Sequence, residues 1–283
     1  MESRDGPWYD RMYNNRALVP RHPEFFERWA RESARAREQG PCVLDVAYGD
    51  GPGETLDVFP AEHADAPVLV FVHGGYWRAL DKRDHSFVAP AFTRHGACVV
   101  VLNYALAPAV TVPQITMQVA QALAWTWRHI GRHGGDRKRI VVVGHSAGGQ
   151  LAAMMLGCQW QQLDAALPRD LVASALAISA LHDLDPIMRT PHLQETLQLT
   201  PGQVAQASPA RLPAPPHGTL YSVTGGEESE EYHRQNRLIQ EAWGPRSVPV
   251  CEVLPGLNHF SVLDALVEPS HRLHQLALDL LRD

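Results

Sequence analysis

Short hydrophobic runs alternate along the chain with longer amphipathic segments. The short runs are rich in β-branched residues and end in glycine turns, which is typical of buried strands in a parallel sheet. This alternation predicts an α/β fold in which helices cover both faces of an eight-stranded, mostly parallel sheet. The predicted strands are Val43 to Tyr48, Thr55 to Phe59, Val68 to Val72, Cys98 to Tyr104, Arg139 to Gly144, Leu171 to Ser179, Thr219 to Thr224 and Val248 to Leu254.

Apolar residues at helical spacing predict helices between most of these strands. Only a short glycine-rich segment, residues 49–53, separates the first two strands, so we expect an antiparallel hairpin at the edge of the sheet. The predicted helices are Ser86 to His95, Val112 to His133, Ala147 to Cys158, Glu230 to Trp243 and Val262 to Leu281.

Two segments depart from the alternation. Residues 1–40 mix aromatic side chains with many Arg and Glu, and we expect them to form an amphipathic helical extension packed on the domain. Residues 182–216 are irregular and rich in proline, and insertions at this position often form a cap over a pocket. Since one core can grow to roughly 250–300 residues, we interpret residues 1–283 as a single domain.

Composition narrows the classes of function. The net charge is -6 and the 25 Lys and Arg residues are dispersed, which argues against nucleic acid as a partner. We expect a small-molecule substrate and a cytoplasmic protein without membrane contact, because no secretory signal and no apolar run of about 20 residues is present. The four cysteines lie far apart, as reduced thiols would. The oligomeric state stays open, a homodimer included.

A candidate nucleophile follows the fifth predicted strand. The apolar run Ile140 to Val143 leads into Gly144-His145-Ser146-Ala147-Gly148, and a helical segment begins directly afterwards. A strand, a sharp turn with small flanking residues and a helix are the context in which G-x-S-x-G marks a nucleophilic serine. The glycines permit the strained turn, and the helix N-terminus faces the place where negative charge develops during acyl transfer. We therefore expect Ser146 to be the nucleophile.

The third predicted strand ends in a glycine pair suited to an oxyanion hole. Its last residues run into His73-Gly74-Gly75-Tyr76-Trp77, one β-α-β unit before Ser146. Backbone N–H groups of Gly74, Gly75 and Tyr76, together with that of Ala147, are the candidate donors. We expect His73 to have a structural role beneath this loop.

The base and the acid should follow the serine in chain order. His259 lies in a loop between the last strand and the last helix, where the base is expected, whereas His271 and His274 fall within that helix and are interpreted as surface residues. Glu228 is the preferred acid because it follows the seventh strand, with Glu227 as second choice. Asp183 or Asp185, after the sixth strand, is a rival.

These residues resemble the kynurenine formamidases (arylformamidases), a group of α/β-hydrolases related to the hormone-sensitive-lipase-like esterases. The resemblance rests on His73-Gly74-Gly75-Tyr76-Trp77, Gly144 to Leu156, Asp183 to Ile187, Ala207-Ser208-Pro209, Glu231 to Gln235 and Asn258-His259-Phe260. It implies hydrolysis of N-formylkynurenine or of small aryl and acyl esters. The family has an aspartate as its catalytic acid, and the matching residue here is Glu228, one methylene longer.

The sequence thus predicts a serine hydrolase that acts on an aryl formamide or a small ester through Ser146, His259 and Glu228. Tyr76 and Trp77 are candidates for stacking on an aromatic substrate, although core packing is the alternative for Trp77. This chemistry needs no cofactor, and no metal-ligand spacing is present. The alternatives are a carboxylesterase with an unrelated role and a binding protein that reuses the fold without chemistry.

Overall fold

The structure is a computed structural model that describes residues 5–282. Eight strands form one sheet in the order β1-β2-β4-β3-β5-β6-β7-β8, and the strands are β1 (Val43–Ala47), β2 (Thr55–Phe59), β3 (Ala66–Val72), β4 (Cys98–Leu102), β5 (Gly135–His145), β6 (Ser174–Ile178), β7 (Thr219–Gly225) and β8 (Val250–Leu254). Strand β2 is antiparallel to both of its neighbours, and β3 to β8 are parallel. The predicted mostly parallel sheet with an edge hairpin is confirmed.

Helices connect the parallel strands, as parallel pairing requires. They are α1 (Gly6–Tyr13), α2 (Asn15–Leu18), α3 (His22–Gln39), α4 (Ala89–Thr93), α5 (Val112–His129), α6 (Ala147–Leu156), α7 (Trp160–Leu163), α8 (Asp185–Met188), α9 (Pro191–Leu197), α10 (Pro201–Ala207), α11 (Glu230–Ser247), α12 (Ser261–Val267) and α13 (Arg272–Arg282). Short 3₁₀ turns lie at Lys82–Asp84, Ser86–Val88, Ile130–His133 and Pro209–Arg211. Among residues 5–282, no helix is both long and apolar enough to cross a membrane.

The core has two layers, one on each face of the sheet. Alternate residues of β3 enter opposite layers: Val68 and Val70 pack with the buried residues of α5 and α6, whereas Leu69 and Phe71 pack with those of α12 and α13. The period of two along a strand produces this division, because successive side chains point to opposite faces. The apolar runs are therefore buried on both sides, and the predicted helix layers on both faces are confirmed.

The carboxyl-terminal helix of the prediction is divided in two. The structure ends α12 at Val267 and begins α13 at Arg272, because the intervening residues include Pro269, which has no backbone N–H to continue a helix. The expected surface position of His274 is wrong. Its side chain is fully buried, its Nδ1 lies 2.9 Å from the carbonyl oxygen of Leu266, and its ring stacks on Phe92.

The first helices pack on both layers of the core. Trp8 and Tyr13 of α1 belong to the layer that contains α5 and α6, and Trp29 of α3 belongs to the opposite layer. The segment 182–216, which the sequence suggests as a cap, contains α8, α9 and α10, and α9 contacts α1. The N-terminal extension and the segment 182–216 therefore contact each other.

Candidate active site

Ser146 lies at the turn between β5 and α6, in a conformation that side chains rarely adopt. Its backbone angles are φ 57° and ψ -120°. A Cβ at Gly144 would lie 2.0 Å from the carbonyl oxygen of Gly148, and one at Gly148 would lie 2.0 Å from that of Val72. Only glycine fits at both positions, which is the reason that the turn can hold the serine above the sheet.

Three side chains from different loops form a hydrogen-bonded chain. Nε2 of His259 lies 3.1 Å from Oγ of Ser146, and Nδ1 of His259 lies 2.6 Å from Oε2 of Glu228. All three residues are buried. With Nδ1–H donating to the carboxylate, Nε2 is free to accept the serine proton, which is the arrangement that a nucleophile and its base require.

The carboxylate of Glu228 is held by donors from two neighbouring strands. Its Oε1 accepts hydrogen bonds from the hydroxyls of Ser179 (2.5 Å) and Thr224 (3.0 Å) and from the backbone N–H of Gly225 (2.7 Å). Burial raises the pKa of Glu228, but the charge of His259 and these hydrogen bonds outweigh it, so the pKa lies below its usual 4.5. The carboxyl group is therefore ionised and fixed in direction.

The other candidate acids lie away from His259. Glu227 is exposed to solvent. Asp183 accepts a hydrogen bond from Arg211 at 2.9 Å, and Asp185 forms an ion pair with Arg189 at 2.7 Å. Neither aspartate hydrogen-bonds to the histidine, so the geometry favours Glu228.

The loop that carries His259 is fixed by its own polar groups. The side chain of Asn258 accepts hydrogen bonds from the backbone N–H groups of Phe260 and Ser261, which satisfies free donors at the start of α12. Nε2 of His145, the residue before the serine, donates to the carbonyl oxygen of His259 at 2.8 Å. The nucleophile turn and the histidine loop are therefore tied directly together.

The glycine pair after β3 lies against the serine. A Cβ at Gly74 would lie 3.0 Å from Cβ of Ser146, and Gly75 has a φ of 100°. Within residues 5–282, no turn or loop hydrogen bond between backbone groups uses the N–H of Gly74, Gly75 or Tyr76. Ala147 is the first residue of α6, where backbone N–H groups lack helical partners. Gly74 and Ala147 thus lie next to Ser146, and Gly75 and Tyr76 line the same cavity as the serine.

The two aromatic residues that follow have different environments. Tyr76 lines a cavity beside Ser146. Trp77 is completely buried, and its Nε1–H donates to the side chain of Gln150 at 3.1 Å. The structure therefore places Trp77 in the core, which is the alternative to the substrate contact suggested by the sequence. His73 is buried beneath the loop and stacks on Tyr104, which confirms its structural role.

A network of phenols and an amide, which sequence reasoning missed, adjoins the serine. The hydroxyls of Tyr76 and Tyr232 lie 2.7 Å apart, and Nδ2 of Asn15 donates to Tyr232 at 2.8 Å and to Tyr76 at 3.2 Å. The Tyr76 hydroxyl also donates to the carbonyl oxygen of Tyr13. Burial raises the pKa of both phenols, so both stay protonated. Tyr232 belongs to the conspicuous Tyr-His-Arg-Gln stretch, but no spacing rule joins it to Asn15.

The cavity at Ser146 has a volume of about 380 Å³. Aromatic side chains of the N-terminal helices and of the histidine loop form part of its wall, and the segment 182–216 contributes His192 and Thr196. A larger cavity of about 780 Å³ lies at the C-terminal end of α6 and contains neither Ser146 nor His259. The lining residues of the smaller cavity are Tyr13, Asn14, Asn15, Arg16, Phe26, Trp29, Gly75, Tyr76, Arg78, Ala79, Leu80, His145, Ser146, His192, Thr196, His259 and Phe260.

The part of the chain that the structure describes holds no group of three or more His, Cys, Asp or Glu side chains placed to bind a metal ion. Ser146 and His259 line the cavity, and Glu228 lies behind His259.

This fold and this site define a class of enzyme. A family model for the α/β-hydrolase fold matches residues 69–219, which is more than half of the chain. The chain therefore belongs to the α/β-hydrolase fold family, and with the named hydrolases among its relatives it is a serine hydrolase of that fold.

Particular relatives narrow the similarity. Kynurenine formamidase of Danio rerio is 29% identical over 255 residues, which cover 87% of this chain and 84% of that protein. Esterase LipC of Mycobacterium tuberculosis is 29% identical over 247 residues, covering 77% of this chain and 60% of the esterase. A "putative thioesterase" from Silicibacter sp. TM1040 superposes with a TM-score of 0.82 at 29% identity, over 93% of this chain and 96% of that one. The predicted resemblance to kynurenine formamidases is confirmed.

Proposed function

We propose that the protein hydrolyses an aryl formamide of the N-formylkynurenine type, or a small ester, through an acyl-enzyme on Ser146. The observation that carries this proposal is the continuous chain of hydrogen bonds from Glu228 through His259 to Ser146. The similarity to a kynurenine formamidase over most of the chain supports the formamide as substrate.

The geometry suggests how each group acts. Nε2 of His259 takes the proton of Ser146 as Oγ attacks the carbonyl carbon, and Glu228 stabilises the imidazolium that forms. The backbone N–H groups of Gly74, Gly75, Tyr76 and Ala147 are the candidates that stabilise the oxyanion. His259 then protonates the leaving amine or alcohol, and a water molecule activated by the same nitrogen attacks the acyl-enzyme. Release of formate or another small acid restores Ser146.

Replacement of the nucleophile tests the mechanism. We expect Ser146→Ala to lower kcat by about 10⁴-fold or more, because both the nucleophile and the covalent intermediate are lost. Circular dichroism and thermal melting should match the unmodified protein. Labelling of Ser146 by a fluorophosphonate, absent from the variant, would also exclude a binding protein without chemistry. Undiminished turnover in Ser146→Ala would overturn the mechanism.

A carboxylesterase is the second candidate, and the similarity to an esterase favours it. Rates on N-formylkynurenine and on 4-nitrophenyl acetate, measured on one purified sample, separate the two. The formamidase proposal predicts a higher kcat/KM on N-formylkynurenine. Formamide hydrolysis at the background rate, together with rapid ester hydrolysis, would contradict the formamidase proposal and support a carboxylesterase.

A further inference from the structure

The cavity at Ser146 has a charge that differs from that of the whole chain. The chain has a net charge of -6, yet the cavity is lined by two arginines, Arg16 and Arg78, and by no Asp or Glu. A cavity with one sign of charge and low-dielectric walls concentrates the electrostatic field inside it. The lining therefore favours a ligand with negative charge.

Arg78 is partly buried, and only one of its guanidinium nitrogens donates hydrogen bonds to other groups of the protein. Its Nη1 donates to the carbonyl oxygen of His192 at 2.7 Å and to Oγ1 of Thr196 at 3.1 Å. Both acceptors are neutral and fix the guanidinium in the wall formed by α9. Within residues 5–282, Nε and Nη2 have no hydrogen-bond acceptor. Burial, and after it the positive charge of Arg16, lower the pKa of Arg78, and the charge of Glu195 opposes them only in part.

Arg16 approaches the same cavity from α2. Its guanidinium carbon lies 5.5 Å from the ring centre of Phe26, and it forms no ion pair within the described residues. Of the nearby carboxylates, one is paired with a histidine and another lies outside the cavity. Asp10 is paired with Nδ1 of His192 at 2.6 Å, and Glu195 is exposed and does not line the cavity. Two arginines thus line one cavity, and neither forms an ion pair within the described residues.

We propose that Arg78 and Arg16 form a subsite for a carboxylate on the leaving group of the substrate. A guanidinium with free N–H groups binds a carboxylate through paired, charge-assisted hydrogen bonds. The aromatic side chains of Phe26, Trp29 and Phe260 line the same cavity and suit an aryl ring between the scissile bond and the charge. This inference rests on the proposed acyl transfer at Ser146, and it assigns to Arg78 and Arg16 the recognition of a carboxylate such as the one that N-formylkynurenine carries on its leaving group.

A matched pair of esters tests the subsite. The acetate ester of 3-(4-hydroxyphenyl)propanoic acid carries the charge, and the corresponding primary amide has nearly the same shape without it. We expect kcat/KM to be about tenfold or more higher for the carboxylate than for the amide. This preference should shrink as salt is added, because screening weakens attraction between partly exposed charges. Equal kcat/KM values for the two esters would overturn the proposal.

Variants assign the preference to the two arginines. In Arg78→Gln the ratio of kcat/KM for carboxylate over amide should fall about tenfold, and in Arg78→Lys it should fall less because the charge remains. Arg16→Gln, at an exposed position that tolerates replacement, should also lower the ratio. Arg132→Gln is the matched control, since Arg132 is exposed and outside the cavity, and it should keep the ratio of the unmodified protein. An unchanged ratio in both Arg78→Gln and Arg16→Gln would contradict the assignment.

A binding measurement keeps this inference separate from the proposed function. Calorimetric titration of Ser146→Ala with 3-phenylpropanoate and with 3-phenylpropanamide needs no turnover. Tighter binding of the anion, lost in the double variant with Arg78→Gln, would support the subsite even if the protein hydrolysed neither formamide nor ester. Equal affinity for the two ligands would overturn the subsite, whatever the hydrolytic activity proved to be.

Discussion

The orientation of the Glu228 carboxylate is fixed by the groups around it. Three donors occupy one of its oxygens and leave the other for His259. In Glu228→Gln the side chain keeps its size but loses its charge, so in the proposed mechanism it no longer stabilises the imidazolium of His259. We expect kcat to fall by about 10³-fold, measured on the better of the formamide and ester substrates.

The length of this side chain matters as well as its charge. Aspartate at position 228 would be too short to reach both the donors and His259 without movement of the loop, so Glu228→Asp should lose about tenfold or more in kcat. Glu227→Gln, at the exposed neighbouring position, is the control and should stay within about twofold. Full activity in Glu228→Gln would show that the acid is another residue.

Residues that a local motif or their place after a strand identifies could be predicted from the sequence, whereas side chains that meet across the fold without such a motif could not. Ser146 can be recognised in the sequence because its turn requires glycine at positions 144 and 148, within the same five residues. Asn15 and Tyr232 lie 217 positions apart and meet only when the N-terminal helices pack on the domain. The position of Trp77 could not be predicted either, because the sequence does not show whether this side chain lines the cavity or lies in the core, where the structure places it.

At the scale of elements, the N-terminal helices form part of the active-site wall. Asn15 begins α2 and donates to both phenols beside Ser146. Asn15→Ala removes these donors and leaves two buried hydroxyls with fewer partners, which costs about 1–3 kcal/mol when a polar group is left unsatisfied. We expect kcat/KM to fall about tenfold, because Tyr76 loses its fixed position in the cavity.

Steady-state kinetics on the same substrates check this, with urea unfolding to separate activity from stability. Leu18→Ala, at the exposed end of the same helix, is the control and should change neither quantity appreciably. Unchanged kinetics in Asn15→Ala would mean that the extension only covers the core.

The strands could be located from their hydrophobic runs. The prediction of one undivided helix at the carboxyl end was wrong, because the hydrophobic pattern continues at helical spacing on both sides of Pro269.

At the scale of the whole molecule, four of the buried histidines form no hydrogen bond with a carboxylate: His73, His85, His145 and His182. Burial lowers the pKa of each, to about 3 for His85 and His182. The folded protein therefore keeps these rings neutral, while the unfolded chain binds a proton at each near pH 6.5. Such a difference makes the free energy of unfolding depend on pH.

Because the unfolded state binds more protons, the contribution of these histidines to the free energy of unfolding is fully present above pH 6.5. It is lost as the pH falls from 6.5 toward the pKa values of the folded state. His85 and His182 should each lower the free energy of unfolding by about 1.4 kcal/mol between pH 7.5 and pH 5.5, which is about 3 kcal/mol for the two, and His73 and His145 should add to this loss. Urea titrations at several pH values measure this loss. His182→Gln should reduce it by about 1.4 kcal/mol, since the unfolded variant binds one proton fewer. Exposed His63 supplies the control, and His63→Gln should leave the loss as it is. A free energy of unfolding that stayed constant between pH 7.5 and 5.5 would mean that these rings accept protons in the folded state.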